Sequence, residues 1–211
     1  IIDQHKEFET PISFIYWGAL ASISACVKDQ IWFDKFLYKL YPNIYVMLHA
    51  ASGLKKGPPI SMAKQIVKLV NNTNIINGRS SIQGIMKKLS TAYTLPGGIV
   101  VNKAVAFIVA SELSASIVED KAALAILTDL YDRIYHEDYE SLLKSETFKL
   151  KEPTITMLTA TNAAHSEEFF GKQDIQGGYF ARTFIVYADQ ENKINSLIVP
   201  LENPPNYKKL A

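Results

Sequence analysis

An apolar strand, a loop of small residues with two lysines and the start of a helix follow one another over residues 45–61. This order of elements is the layout of a phosphate-binding loop, whose standard pattern is Gly, four residues, then Gly-Lys-Ser/Thr. Laid over that pattern, Ala50 takes the first glycine, Lys55 the second, Lys56 the lysine and Gly57 the Ser/Thr. Only the lysine matches at a key position. The candidate nucleotide-binding residues are Ser52, Gly53, Leu54, Lys55, Lys56, Gly57 and Pro58.

Composition excludes several classes of protein. The 211 residues carry a formal net charge of +1, so no global basic field indicates nucleic acid, although a local basic patch is compatible with this balance. Cys26 is the only cysteine. It allows neither a disulfide framework nor a cysteine-based zinc site, and it fits a reducing, cytoplasmic compartment. Because the chain begins at Ile1, we expect it to be a domain of a longer protein.

The length of the uncharged run 10–27 touches the lower range for a membrane span. Pro11 and three serines interrupt it, so we expect a buried helix and no membrane partner.

Apolar strands alternate with helical patterns along the chain. We predict strands at 44–48, 74–77, 104–110, 147–151, 154–159 and 183–188, and helices at 12–27, 60–70, 81–90 and 113–131. Several of the strands are continuously apolar, which is typical of strands buried on both faces of a parallel sheet. The pattern predicts an α/β fold with a mainly parallel sheet of about five strands flanked by helices. Residues 1–43 would form an N-terminal helical extension and residues 44–211 the core.

An acid follows one of these strands. The apolar run 106–110 ends in Ser111 and Glu112. In phosphate-loop ATPases an Asp at this point holds Mg²⁺, and a following Glu polarises the attacking water. Ligands of open α/β sheets bind at the carboxyl ends of the strands. Glu112 is therefore a candidate catalytic residue, and Ser111 and Glu112 are candidate Mg²⁺ ligands. The alternative is that Glu112 caps a helix beginning at Leu113.

Two more segments carry candidate catalytic side chains. Asn162 follows the strand 154–159 and could hold the attacking water near the γ-phosphate, although Asn also favours turns. Arg182 follows Gly177-Gly178 and enters the last apolar strand. It could stabilise charge on a transferring phosphoryl group, or it could be an ion-paired surface arginine. Phosphate loop, acid, amide and arginine occur here in the order found in RecA/AAA+-like ATPases.

Several segments together resemble a known family. Residues 40–48 and 52–56 are similar to the "YPN", strand, "GPSGxxK" opening of helicase-type ATPase domains in phage and plasmid primase–helicase replication proteins. Residues 110–112 and 130–132 are similar to the family's "S-D/E-E" and "L-Y-D" segments. Residues 177–182 resemble its closing "G-G-x-x-x-R" element. The resemblance covers roughly residues 10–190.

The resemblance implies a motor that uses ATP and Mg²⁺ on DNA, most simply single-stranded DNA, within a homo-oligomeric ring. It also implies a sheet with strand order 5-1-4-3-2, an Arg182 that serves a neighbouring subunit's ATP, and the host cytoplasm as location if the protein is phage-encoded.

The chain departs from the family at three positions: Ala50 replaces the first glycine, Gly57 the Ser/Thr hydroxyl, and Ser111 the metal-holding Asp. Two alternatives therefore stay open. One is a catalytically degenerate scaffold that binds nucleotide or DNA. The other is a viral DNA-packaging or assembly ATPase.

Overall fold

The computed structural model describes residues 8–70, 73–77, 81–91, 93–94, 98, 100–101, 103–112, 121–132, 139–143, 146–162 and 178–192. The helices are α1 (Ile12–Val27), α2 (Gly57–Leu69), α3 (Ile82–Ser90), α4 (Lys121–Asp132) and the short α5 (Gly178–Ala181). The strands are β1 (Phe33–Asp34), β2 (Lys39–Leu40), β3 (Tyr45–Ala50), β4 (Asn74–Asn77), β5 (Tyr93–Thr94), β6 (Val100–Val101), β7 (Lys103–Ala110), β8 (Tyr139–Leu143), β9 (Glu146–Asn162) and β10 (Thr183–Tyr187). The predicted start of the fourth helix, at 113–120, lies outside the described residues.

Five parallel strands form the central sheet, in the spatial order β10-β3-β9-β7-β4. Counted along the chain, this places the fifth strand first, followed by the first, fourth, third and second. Helices lie on both faces, so the predicted α/β class with a parallel five-stranded sheet is confirmed.

Strand β9, the fourth strand of the central sheet along the chain, differs from its prediction. Two strands separated at Pro153 were expected, but β9 runs unbroken for 17 residues. Its first part pairs antiparallel with β8, and its second part enters the parallel sheet. A register shift opposite Lys103–Val105 and a positive φ of 45° at Glu152 mark a bulge just before the proline. Because proline lacks a backbone N–H, the bulge lets the strand pass this point.

Alternate residues of β3 explain why the sheet is buried on both faces. Val46, Leu48 and Ala50 belong to the apolar cluster beneath α1 and α2. Tyr45 and Met47 belong to the cluster formed with α3, α4 and α5. A strand with apolar side chains on both faces is stable only between two layers, which is the reason the run lacks polar alternation.

Helix α1 shares the core of the sheet. Phe14 and Ala21 on α1 are fully buried and join the same cluster as Val46 and Leu48. Ser24 forms a 2.6 Å hydrogen bond with Thr156 of β9. The uncharged run is thus explained by packing against the sheet. Among the described residues, no helix combines the length and hydropathy needed to cross a membrane.

A close approach between helices holds α1 against α2. A Cβ atom added at Gly18 would lie 3.3 Å from both Cβ and the carbonyl oxygen of Pro59, and 3.4 Å from Cε of Met62. Pro59 is in the first turn of α2, which follows the lysine loop directly. The position of the loop therefore depends on how closely α1 packs here.

We expect Gly18→Leu to lower the free energy of unfolding by about 1–3 kcal/mol, because its side chain would force α1 away from Pro59. Gly18→Ala is the matched control. Its contacts are tight, but the gain of roughly 1 kcal/mol in helix propensity offsets them. Urea denaturation followed by circular dichroism measures both. Equal stability of the two variants would show that the helices tolerate separation at this point.

Candidate functional site

The site is assembled by the register of three adjacent strands. β9 lies between β3 and β7, and all three run in the same direction. Asn162 at the end of β9 is opposite Ala50 at the end of β3. Thr159 of β9 is opposite Ala110, the last residue of β7. The lysine loop, the acid and the amide therefore emerge from the same edge of the sheet.

A cavity of about 260 Å³ occupies this edge. It is lined by Ser52, Gly53, Leu54, Lys55, Lys56, Gly57, Ser111, Glu112, Thr161 and Asn162. Six of the seven candidate nucleotide-binding residues thus share one cavity with the candidate acid and amide. Pro58, the seventh, lies in the first turn of α2 and does not line the cavity.

The loop between β3 and α2 adopts a compact conformation. Gly53 has a φ of 95° and Lys55 a φ of 42°, and the Lys55 N–H donates to the Gly53 carbonyl at 2.7 Å. Helix α2 begins at Gly57 with Pro58 and Pro59 in its first turn. A helix start normally offers free N–H groups to an anion. The two prolines remove two of these donors and leave the N–H of Gly57 and the side chain of Lys56 to carry more of any anion contact.

The Lys56 ammonium lies inside the loop. Its Nζ donates to the carbonyl oxygens of Ala50 and Ala51, both at 2.7 Å. Partial burial lowers the pKa of Lys56, and the charge of Glu112 acts in the opposite direction. The two side chains are thus close enough to interact electrostatically across the cavity. A phosphate entering the cavity would compete with the two carbonyls for the same ammonium.

His49 lies beside this lysine. It is the penultimate residue of β3, opposite Tyr187 of β10, and the two ring centroids are 5.7 Å apart. Burial lowers the pKa of His49, and the positive charge of Lys56 lowers it further. Burial and the neighbouring ammonium therefore both disfavour the protonated imidazole.

The wall of the cavity that contains Glu112 is rich in oxygen atoms of the kind that bind metal ions. Ser111 and Glu112 are exposed, and Thr161 and Asn162 complete this wall. Within the described ranges, no group of three His, Cys, Asp or Glu side chains is arranged to hold a metal by itself. Mg²⁺ is commonly bound by one or two carboxylates together with substrate phosphates. One carboxylate and neighbouring oxygens fit that mode of binding.

The N-terminal segment contacts the loop from outside. The Glu9 carboxylate lies 3.4 Å from the Lys55 ammonium, and the Thr10 hydroxyl is 3.5 Å from the Lys55 carbonyl oxygen. Asn192, beyond β10, donates from its backbone N–H to the Glu9 carbonyl oxygen at 2.9 Å. Sequence reasoning missed these contacts, because no local pattern marks a link across 45 or more residues. It also missed Thr161, whose signal is its position directly before Asn162.

Arg182 is not brought to this cavity. It precedes β10, and so lies at the amino edge of the sheet. Its Nε donates to Asp132 Oδ1 at 2.6 Å, its second terminal nitrogen contacts Asp132 Oδ2, and Nη1 donates to the Gly178 carbonyl oxygen at 2.9 Å. The pairing with Asp132 raises the pKa of Arg182 further. Within the described chain, Arg182 is thus an ion-paired arginine, one of the two interpretations left open by the sequence.

No protein-family model matches the chain, and no curated protein matches it.

We expect Lys56→Met to raise the pKa of His49, because the substitution removes a positive charge but keeps an apolar stem of similar length. Burial persists, so the pKa should stay below the usual value of 6.5. A proton NMR titration of the imidazoles measures the change, with His5, His136 and His165 as internal references. Lys68→Met, at the other end of α2, is the control. An unchanged or lower pKa in Lys56→Met would place the ammonium away from His49.

Proposed function

We propose that the chain is the ATP-binding and ATP-hydrolysing core of a DNA helicase or translocase from a phage or mobile element. One observation carries the proposal: Lys56, Glu112 and Asn162, from three separate segments, line one cavity at the carboxyl edge of a parallel sheet. A cation, an acid and an amide around one anion-sized space are the parts that phosphoryl transfer to water requires. The observed spatial order β10-β3-β9-β7-β4 supports the proposal, because the resemblance to primase–helicase ATPases implies a sheet of order 5-1-4-3-2.

Each residue has a role in this proposal. Lys56 exchanges its two carbonyl partners for oxygens of the β- and γ-phosphates, which are stronger acceptors because they are charged. Glu112 takes a proton from the attacking water, and Asn162 holds that water in line with the γ-phosphate. Ser111 and Glu112, with phosphate oxygens, would hold Mg²⁺, which neutralises charge on the phosphates.

A second candidate is a scaffold that binds nucleotide without hydrolysing it. Gly57 offers no hydroxyl to a metal, Ser111 offers no carboxylate, and the prolines at 58 and 59 offer no N–H to a phosphate. Each of these losses weakens the magnesium or phosphate contacts that accelerate hydrolysis. Both candidates share the cavity and differ in turnover.

The proposed motor would act on DNA as a ring of subunits. In that arrangement Arg182 would reach a neighbouring subunit's ATP only by giving up its two contacts with Asp132. The role of Arg182 in a neighbouring site stays a prediction, as do single-stranded DNA and the ring.

Lys56→Ala should weaken ATP binding by about tenfold to a hundredfold, because it removes a charged hydrogen-bond donor to the phosphates. Isothermal titration calorimetry with ATP and Mg²⁺ gives the affinity. Lys68→Ala, in the last turn of the same helix and exposed, is the matched control. Equal ATP affinity of Lys56→Ala and the native protein would contradict the assignment of Lys56 as the phosphate-binding lysine. If Lys55→Ala loses ATP binding and Lys56→Ala does not, the lysine of the phosphate-loop pattern is Lys55, one residue earlier than assigned here.

Glu112→Gln should lower ATP turnover by about 10²- to 10⁴-fold and leave ATP affinity intact, since the amide keeps the size of the side chain but cannot accept the proton. Phosphate release, measured with and without single-stranded DNA, reports turnover. Glu140→Gln on β8 is the control. Turnover undetectable in the native protein under all these conditions, with ATP still bound, would favour the scaffold.

A further inference from the structure

A second candidate site lies at the opposite edge of the sheet. The hairpin formed by β1 and β2 comes just before β3, whereas the phosphate cavity follows β3. The six residues of β3 separate the two edges by roughly 20 Å. Exposed large apolar side chains crowd this hairpin: Ile31, Trp32, Phe33, Phe36, Leu37, Tyr38 and Leu40. A soluble domain rarely exposes so many adjacent apolar residues without a binding role.

Phe36, at the tip of the hairpin, is exposed to solvent and has a strained backbone conformation. Its side chain is 97% exposed, so it contributes almost no burial to the stability of the fold. Its φ of 69° lies in the left-handed region, which a bulky residue adopts only with strain. The Asp34 carboxylate accepts the Phe36 N–H at 2.8 Å, and the Lys35 N–H donates to the Tyr38 carbonyl at 2.9 Å. These bonds hold the backbone of the turn in a conformation that leaves the Phe36 ring exposed to solvent.

Two lysines alternate with the rings. Lys35 Nζ lies 4.8 Å from the centroid of the Phe33 ring, and Lys39 Nζ lies 4.5 Å from that of Trp32. Asp34, the only acid on the hairpin, already accepts the Phe36 N–H. The surface therefore offers flat apolar faces and positive charge side by side.

A cavity of about 360 Å³ continues this surface towards the sheet. It is lined by Tyr38, Lys39, Leu40, Tyr41, Asn43, Tyr131 and Asp132. Its size is within the range of roughly 300–1,000 Å³ found for small-molecule pockets. The Asp132 charge is balanced by its two contacts with Arg182, so the floor is polar without repelling an anion. Trp32 and Tyr41, with ring centroids 6.4 Å apart, connect the hairpin to the cavity.

We propose that this hairpin and cavity bind single-stranded nucleic acid, with one base in the cavity, neighbouring bases stacked on the exposed rings, and phosphates paired with Lys35 and Lys39. The inference deepens the proposed motor function by assigning its nucleic-acid contact. Base stacking on aromatic rings combined with cationic contacts to the backbone is the general mode of single-strand binding.

Other partners fit less well. A second copy docking symmetrically through the same patch would bury Lys35 and Lys39 of both copies, and the hairpin offers Asp34 as the one acid to pair with them. A lipid surface would cover the exposed rings but would leave the cavity beside them, which is lined in part by Asn43 and Asp132, without an occupant.

Fluorescence anisotropy with a labelled oligo-dT of 20 nucleotides, without ATP, tests the proposal. Phe36→Ser and Tyr38→Ala should each weaken binding about tenfold, since each removes one stacking face. Lys39→Gln should reduce the slope of log affinity against log salt by about 0.7. Binding should quench tryptophan fluorescence in the native protein but not in Trp32→Phe. Tyr16→Ser, an exposed ring on α1, and Lys68→Gln are the matched controls and should bind like the native protein.

Two results with DNA alone would overturn the proposal: equal affinity of the native protein and Phe36→Ser, or no binding of oligo-dT at all. Two further results would assign the surface to another partner. In the first, sedimentation shows that the native protein is an oligomer and Phe36→Ser a monomer, while their DNA affinities are equal. In the second, the native protein binds vesicles containing phosphatidylserine and Phe36→Ser does not, while their DNA affinities are equal. ATP affinity of Phe36→Ser, measured in parallel, should be native. Failure at the hairpin is thus distinguishable from failure at Lys56.

Discussion

The pairing of β9 between β3 and β7 is the constraint on which the candidate site depends. No two of the three segments at the site are neighbours in the sequence, and they meet because the three strands run in parallel and end at the same edge. The pairing is held by burial on both faces, with Val46, Leu48 and Leu158 in one cluster and Met47, Ile108 and Met157 in the other. A slip of one residue would exchange these faces, so the register is strongly determined. The positions of Glu112 and Asn162 relative to Lys56 follow from it.

The phosphate loop and its lysine show a balance between stability and binding. In the structure Lys56 satisfies the carbonyls of Ala50 and Ala51 and so holds the loop in a compact form. The same contacts must be given up for a phosphate, which lowers the net gain on binding. With two of the helix's first N–H groups removed by proline, the lysine carries an unusually large share of the anion contact. This combination predicts a loop that depends more on one side chain than a glycine-rich loop with free N–H groups does.

Apolar runs predicted the sheet well because burial on both faces leaves a local signature. The predicted strands at 44–48 and 104–110 are β3 and β7 to within two residues at either end. Glu112 comes two residues after the end of β7, and Asn162 is the last residue of β9. The break predicted at Pro153 was wrong, since a bulge within β9 itself, at Glu152, allows the strand to continue. The contacts of Lys55 with Glu9 and Thr10, and of Arg182 with Asp132, could not be predicted. They join residues far apart in sequence, and a single surface charge gives no sign of its partner. The exposure of the hairpin was hidden for a similar reason, because Trp32 and Phe36 are residues that usually lie inside a fold.

The links from Asn192 to Glu9, and from Glu9 to Lys55, have a mechanical consequence. The segments that enter and leave the described core are hydrogen-bonded to each other next to the phosphate loop, and one of them touches it. Tension applied through the chain before Phe8 or after Asn192 would act first on these bonds, and then on the contacts of Glu9 with the Lys55 side chain and of Thr10 with the Lys55 carbonyl oxygen. Conversely, a change in loop shape would be transmitted outward as a displacement of both segments. The conformation of the loop and the positions of the two flanking segments are therefore coupled through these contacts.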